Sequence, residues 1–177
     1  MMKPQLNPKI TLPVLAALAT VSCAGAISSS IPVQVAPVAL PVAVAQGSIA
    51  EMEQAVHQQV NQYRAQKGLP PLSLNETISQ QCREHSQNMA NGSVPFSHNG
   101  FDVRVDAIAE EITYGSAAEN VAYNYGHADP VRQAVTGWIG SNGHRENMEG
   151  DFDLTGVGVA KNAKGEYYFT QIFIKRR

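Results

Sequence analysis

All fifteen carboxylates and all five histidines of this chain lie after residue 50. The fifty residues before them carry two charged side chains, Lys3 and Lys9. This asymmetry confines the folded part to residues 51–177, where eleven of the thirteen basic residues face all fifteen acidic ones, a net charge of −4 with His neutral. A segment of that length makes one domain, can bury a core without disulfides, and leaves no room for two full domains. So acidic a domain has no electrostatic footprint for nucleic acid, and the closing Lys175-Arg176-Arg177 is too short to supply one.

The N-terminus reads as an export signal. Lys3 and Lys9 form a positive start, Ile10 to Val21 is an uncharged apolar run, and Ala24-Gly25-Ala26 offers a small-residue cleavage site. A second such site at Ala43-Val44-Ala45 would place cleavage as late as residue 45. The expected organisation is therefore a signal peptide over 1–26, a tether or further leader over 27–50, and a domain over 51–177. The run is short for a spanning helix, so the processed chain is expected to keep no stable membrane span and to lie outside the cytoplasm, secreted or in the cell envelope. Pro32, Pro37 and Pro41 rule out a stable helix in the tether. Removing Cys23 with the leader leaves Cys82 alone, so the expected monomer has no disulfide.

In the domain, Met52, Val56, Val60 and Tyr63 share one helical face, and Gly68 with Pro70-Pro71 ends that helix. Ser73 and Glu76 read as the capping box of a second helix, with Leu74, Ile78, Cys82, His85 and Met89 on its apolar stripe. Cys82 is then a small core residue. A shorter helix is expected over Asp102 to Glu111, and Ala117 to Tyr125 reads as extended. Asp129-Pro130 starts a third amphipathic helix ending near Gly140. Asp153–Lys161 and Tyr167–Ile174 read as strands joined by the turn Asn162–Gly165. Helices first and a hairpin last give an α+β fold, with helices covering a mostly antiparallel sheet.

No H-E-x-x-H, C-x-x-C or G-x-S-x-G motif is present. The informative stretches are Phe96-Ser97-His98-Asn99-Gly100, Ala118-Glu119-Asn120-Val121-Ala122, and Trp138 through Gly143-His144-Arg145-Glu146-Asn147-Met148, each placing an ionisable side chain on a loop or helix end. His85-Ser86 lies on a helix, where adjacent residues diverge, so it is no nucleophile–base pair. His57 is expected to face solvent, His127 to sit in a loop, and Tyr114, Tyr123 and Tyr125 to pack.

Taken in order with Asn61-x-x-Arg64, Gly68-Leu69-Pro70-Pro71-Leu72, His85-Ser86, Gly156-Val157-Gly158-Val159-Ala160 and Tyr168-Phe169-Thr170-Gln171-Ile172-Phe173, these stretches resemble the CAP superfamily of cysteine-rich secretory, antigen 5 and pathogenesis-related proteins, in its short bacterial form. The resemblance spans about residues 51–174. It implies an α-β-α sandwich whose cleft holds two His and acidic partners, here His98, His144 and Glu119. Eukaryotic members carry a second acidic residue where this chain has Ser141. Asn120, Asn147 and Arg145 are expected to support the cleft with Ser141.

Two neutral imidazoles at a cleft suit a first-row divalent ion, Zn²⁺ or another divalent cation, with positions left open. Glu119 can complete the coordination, orient an imidazole, or act as a base, which makes it the one candidate catalytic residue. Alternatively, Glu119 and His144 pin the surrounding loops. The expected function is an extracellular binding module for a lipid, peptide or protein ligand. The competing expectation is a metal- or His/Glu-assisted hydrolase of peptidase type, which lacks a convincing nucleophile motif.

Overall fold

A computed structural model describes residues 47–177. The expected signal peptide, both cleavage sites and most of the tether lie outside the described residues. Helix α1 spans Ile49–Gln66. It begins two residues before the expected boundary at Glu51, because Ser48 and Glu51 form a reciprocal capping box. Its buried face is Met52, Val56, Val60 and Tyr63, with Glu53 and Arg64 buried beside them.

Strand β1 (Ser73–Leu74) occupies the place expected for a helix cap. Ser73 is therefore not the cap. Asn75 takes that role, its Oδ1 accepting from the Ile78 N–H, and helix α2 runs Glu76–Ala90. The physical reason is pairing, since Ser73 and Asn75 give their N–H groups to Asp153 and Thr155 carbonyls. Helix α3 follows at Phe101–Ala109, strand β2 at Tyr114–Asn124, and helix α4 at Pro130–Gly140 with Asp129 as its cap. A short helix α5, Asn142–Glu149, forms where the sequence suggested an irregular stretch. Strands β3 (Leu154–Lys161) and β4 (Tyr167–Arg176) close the chain.

The sheet order is β1-β3-β4-β2, with β1 parallel to β3 and the other pairs antiparallel. Alternation along the strands separates two cores. Val157, Val159, Phe169 and Phe173 face α1, α4 and α5, while Leu154, Ile172 and Ile174 face Ile78, Cys82 and Ile108 of α2 and α3. The result is the expected α-β-α arrangement. Gly156 and Gly158 let α2 lie directly on the sheet: a Cβ on either would overlap the backbone of Ile78–Ser79 or Cys82–Arg83.

Helix side chains satisfy the sheet's outer edges. Where β3 runs past the two-residue β1, Ser79 Oγ accepts from the Val157 N–H and Glu53 Oε1 from the Val159 N–H. On the β2 side, Trp138 Nε1 donates to the Val121 carbonyl at 3.0 Å and Asn147 Nδ2 to the Glu119 carbonyl at 3.1 Å. These bonds occupy part of each outer edge. Arg64 joins the layers differently. Its guanidinium, 1% exposed, donates to the carbonyls of Pro70, Met148, Gly150 and Phe152, tying α1 to the end of α5. His57 faces α1's neighbour rather than solvent, bonding the Leu72 carbonyl at 2.8 Å beside Asn61.

Candidate functional site

Because β2 is an edge strand, groups from the two helical layers can meet around it. His98 comes from the loop between α2 and α3. His144 comes from the third position of α5, in the opposite layer. Their ring centroids stand 6.2 Å apart. Glu119 and Asn120 are neighbours on β2, so their side chains leave opposite faces.

Glu119 points into the α2–α3 layer, where its side chain is 2% exposed. Its Oε1 accepts from His98 Nδ1 at 2.9 Å and from Arg104 Nη2 at 2.8 Å, and its Oε2 accepts from Arg104 Nε at 2.9 Å. Both oxygens are therefore engaged in a bidentate ion pair of the strong kind. Asn120 turns to the α5 side, donating to the His144 carbonyl at 3.0 Å, and Asn147 donates to Asn120 Oδ1 at 2.9 Å. These two asparagines hold α5 against β2.

His144 Nδ1 lies 3.0 Å from Ser141 Oγ. Ser141 ends α4 and begins α5, and its hydroxyl serves the imidazole rather than the helix N-terminus. Arg145 braces the same corner, donating to the Ile139 carbonyl and to Asn142 Oδ1. Burial, with His98 as a nearby like charge, lowers the pKa of His144, which favours its neutral form.

The expected site residues thus come together, with Glu119 spent on Arg104 and His98 instead of free for a third ligand. Among the described residues no group of three or more His, Cys, Asp or Glu side chains is placed to hold a metal ion. The donor set fits an open, two-imidazole site: each ring has its Nδ1 engaged, and neither Nε2 has a partner among the described residues. Phe96, Tyr123 and Tyr168 form a row of ring contacts near the loop of His98, Tyr114 packs against the Ile78–Ile108 core, and Tyr125 is 62% exposed.

Two residues complete the site: Arg104, which sequence reasoning did not single out, and His85, which it placed on the α2 stripe and gave no part in the site. Arg104 is 8% exposed and His85 3%. Arg104 Nη1 donates to His85 Nδ1 at 3.2 Å and to the Asn99 carbonyl at 3.0 Å, and His85 Nε2 donates to the Ser97 carbonyl at 2.9 Å. Burial lowers the pKa of His85 and the neighbouring guanidinium adds to the effect. A signal was available, since Phe101, Arg104, Val105 and Ile108 share one helical stripe and only Arg104 is charged.

Residues 57–173 match the model of the CAP family, the cysteine-rich secretory protein family. The chain is 32% identical over 137 residues to the uncharacterized protein YkwD of Bacillus subtilis, an alignment covering 73% of this chain and 49% of that protein. It therefore spans about half the length of the curated relative it matches. A solved extracellular protein containing an SCP domain from Bacillus anthracis is 29% identical with a TM-score of 0.59, over 72% of this chain and 41% of that one. An outer surface protein from Borrelia burgdorferi shares the fold at 18% identity and a TM-score of 0.64, over 74% of this chain and 97% of that one. With the family model, the bacterial relatives and the fold in agreement, this chain belongs to the CAP family of cysteine-rich secretory proteins.

Proposed function

We propose that this chain is an exported binding protein that uses His98 and His144 to hold a divalent cation, Zn²⁺ or a similar ion, and so to engage an extracellular lipid, peptide or protein. The observation that carries this reading is the convergence of two imidazoles from opposite layers to 6.2 Å, each with its Nδ1 already engaged. Histidine ligands are commonly oriented in this way, by a second group on the other ring nitrogen. A bound cation would supply a Lewis-acidic centre with open positions for a ligand. Glu119 orients His98, Ser141 sits on His144, and Asn120 and Asn147 hold α5 in place.

Export is supported by Lys3, Lys9 and the apolar run, and by the likeness to the B. anthracis protein described as extracellular. Among the described residues no helix is long and apolar enough to cross a membrane. N-terminal sequencing from the native host checks this part. A mature start after Ala26 or Ala45 is expected, and an intact Met1 in the cytoplasmic fraction overturns it.

Binding is preferred to hydrolysis because the one carboxylate beside the imidazoles has both oxygens tied to Arg104 and His98. A general base must lie within reach of the proton it removes, and the Glu119 side chain is only 2% exposed. Calorimetric titration with Zn²⁺ tests the site: wild type binds, the His98→Ala/His144→Ala variant does not, and affinity is lower in acid, because a ligating imidazole must be neutral. Folding survives chelation, since two protein ligands do not make a structural zinc site. Equal binding by both proteins, or none by the wild type, overturns the reading. Turnover of a peptide library, lost on chelation, would favour the hydrolase instead.

A further inference from the structure

We infer that Arg104 is the positioning residue of this site: through Glu119, His85 and the Asn99 carbonyl it fixes the loop and the imidazole of His98, so that Nδ1 carries the proton and Nε2 is left to the cleft. Apart from the ring contact of Phe96 with Tyr123, the loop has little else to hold it. His98 has a side chain 51% exposed, and Pro95, Phe96 and Asn99 around it are exposed. Its internal bonds are short-range, from Ser97 Oγ to the Pro95 carbonyl and from the Asn99 N–H to Ser97 Oγ.

The hydrogen bonds reaching residues 97–99 from outside are few. His85 takes the Ser97 carbonyl, Arg104 the Asn99 carbonyl, and Glu119 the His98 imidazole. One more, from the Phe101 N–H to the His98 carbonyl, belongs to the start of α3. Arg104 makes the second of these bonds itself and contacts the residues that make the first and third. One buried guanidinium therefore sits at the centre of the three anchors around a single exposed imidazole.

The chain of donors and acceptors has only one consistent reading. A carbonyl accepts, so His85 Nε2 carries its proton, and His85 Nδ1 accepts from Arg104 Nη1. A carboxylate bound to a guanidinium accepts, so His98 Nδ1 donates to Glu119 and the neutral ring keeps its lone pair on Nε2. His144 lacks this constraint, because the Ser141 hydroxyl can donate or accept. Arginine is required for the geometry. A lysine offers three N–H groups on one ammonium in place of a planar fork, and from that single point it cannot span both carboxylate oxygens, the imidazole and the carbonyl that Arg104 serves.

The tautomer stands on geometry alone, and its consequence for a cation rests on the metal-binding reading above. Long-range ¹⁵N NMR of metal-free protein at pH 8 reports the tautomer, and Zn²⁺ titration of the same samples reports the consequence. Wild type shows a single Nδ1–H form of His98. Arg104→Lys shows a mixture with Nε2–H and binds Zn²⁺ about 10–100-fold more weakly, the usual range for losing a partner behind a ligand. A single Nδ1–H tautomer retained in Arg104→Lys overturns the inference, as does unchanged Zn²⁺ affinity. If the tautomer shifts while wild type binds no Zn²⁺, the positioning role stands and only the metal reading falls. Should Arg104→Lys not fold, His85→Asn removes the Ser97 anchor and leaves the Arg104–Glu119 fork. Faster amide exchange at His98 and Asn99 is then expected, and wild-type exchange there overturns the inference.

Discussion

Replacing Glu119 by Gln keeps the side chain's shape and removes its charge. In the native protein three N–H groups converge on the two oxygens, at 2.8–2.9 Å. The amide offers one oxygen and one NH₂, so whichever way it turns, its NH₂ meets an N–H of Arg104. The guanidinium, with a side chain 9% exposed, also loses its counter-charge. Removing one partner of a buried pair costs about 3–5 kcal/mol. The lower end applies here, about 3 kcal/mol, because Gln fills the same volume and keeps one acceptor oxygen for Arg104. That is a large share of the roughly 5–15 kcal/mol that holds a domain together, and lowers Tm by about 10 °C. Trp138 is the chain's one tryptophan and is 1% exposed, so its fluorescence reports urea unfolding directly. A loss below about 1 kcal/mol would refute the claim that the Arg104–Glu119 pair organises this region. Peptide turnover measured in parallel separates the functional readings. None is expected in either protein, and clear wild-type turnover abolished in a normally stable variant would sink the binding reading.

Gly158→Ala should cost about 3 kcal/mol or prevent folding, because the new Cβ overlaps the Cys82–Arg83 backbone and α2 must lift off the sheet; soluble yield and the urea midpoint check it. Gly143→Ala, on α5 with open space around its Cβ, should leave stability unchanged or raise it by about 0.5 kcal/mol in the same assay. Cys82 should resist thiol reagents under native conditions, since it is fully buried and burial pushes its pKa up, and rapid stoichiometric labelling would show that α2 faces another way. Burial holds the pKa of His85 below its unfolded value near ~6.5, so the unfolded chain takes up the proton first as pH falls. Stability should therefore drop from about pH 6.5 downward, and drop less in His85→Gln; urea midpoints at neutral and mildly acidic pH decide it.

What the sequence showed of the fold followed from local periodicity. The faces of α1 and α4, the α2 stripe from Ile78 to Met89 (Leu74, read as its first member, lies in β1), the Asp129-Pro130 start and the closing hairpin are each set by residues within a turn or two of one another, and each forms as read. The misreadings are of another kind. Ser73 satisfies every local requirement of a capping residue, yet two backbone bonds to the chain around Asp153 and Thr155 make it a strand. Helix α5 has one buried residue, Met148, and so no apolar stripe to announce it. Asn120 and Arg64 hold it from outside, and its own Asn147 reaches out to the Glu119 carbonyl, through bonds that span 24 to 84 residues of chain. A helix held by partners so distant leaves no periodic trace in its own sequence.

The site divides along the same line. His98, Glu119 and His144 were found through the family resemblance, for nothing in their spacing says that two layers meet around β2. Arg104 was overlooked although its signal was local: a guanidinium among Phe101, Val105 and Ile108, on a stripe that otherwise belongs inside. Arg64, one turn after Val60 on α1, carries the same signature. A charged side chain at an apolar position is a statement that its partners arrive from elsewhere, because an uncompensated buried charge would unfold the domain. The sequence does not say which partners. Arg64 meets backbone carbonyls and knits α1 to the end of α5. Arg104 meets a carboxylate, an imidazole and a carbonyl, all of which lead to His98. The difference between a purely architectural arginine and one that sets up a site is therefore the chemistry of its acceptors. Carbonyls fix only where a chain runs, whereas a carboxylate shared with an imidazole also fixes which nitrogen that imidazole presents.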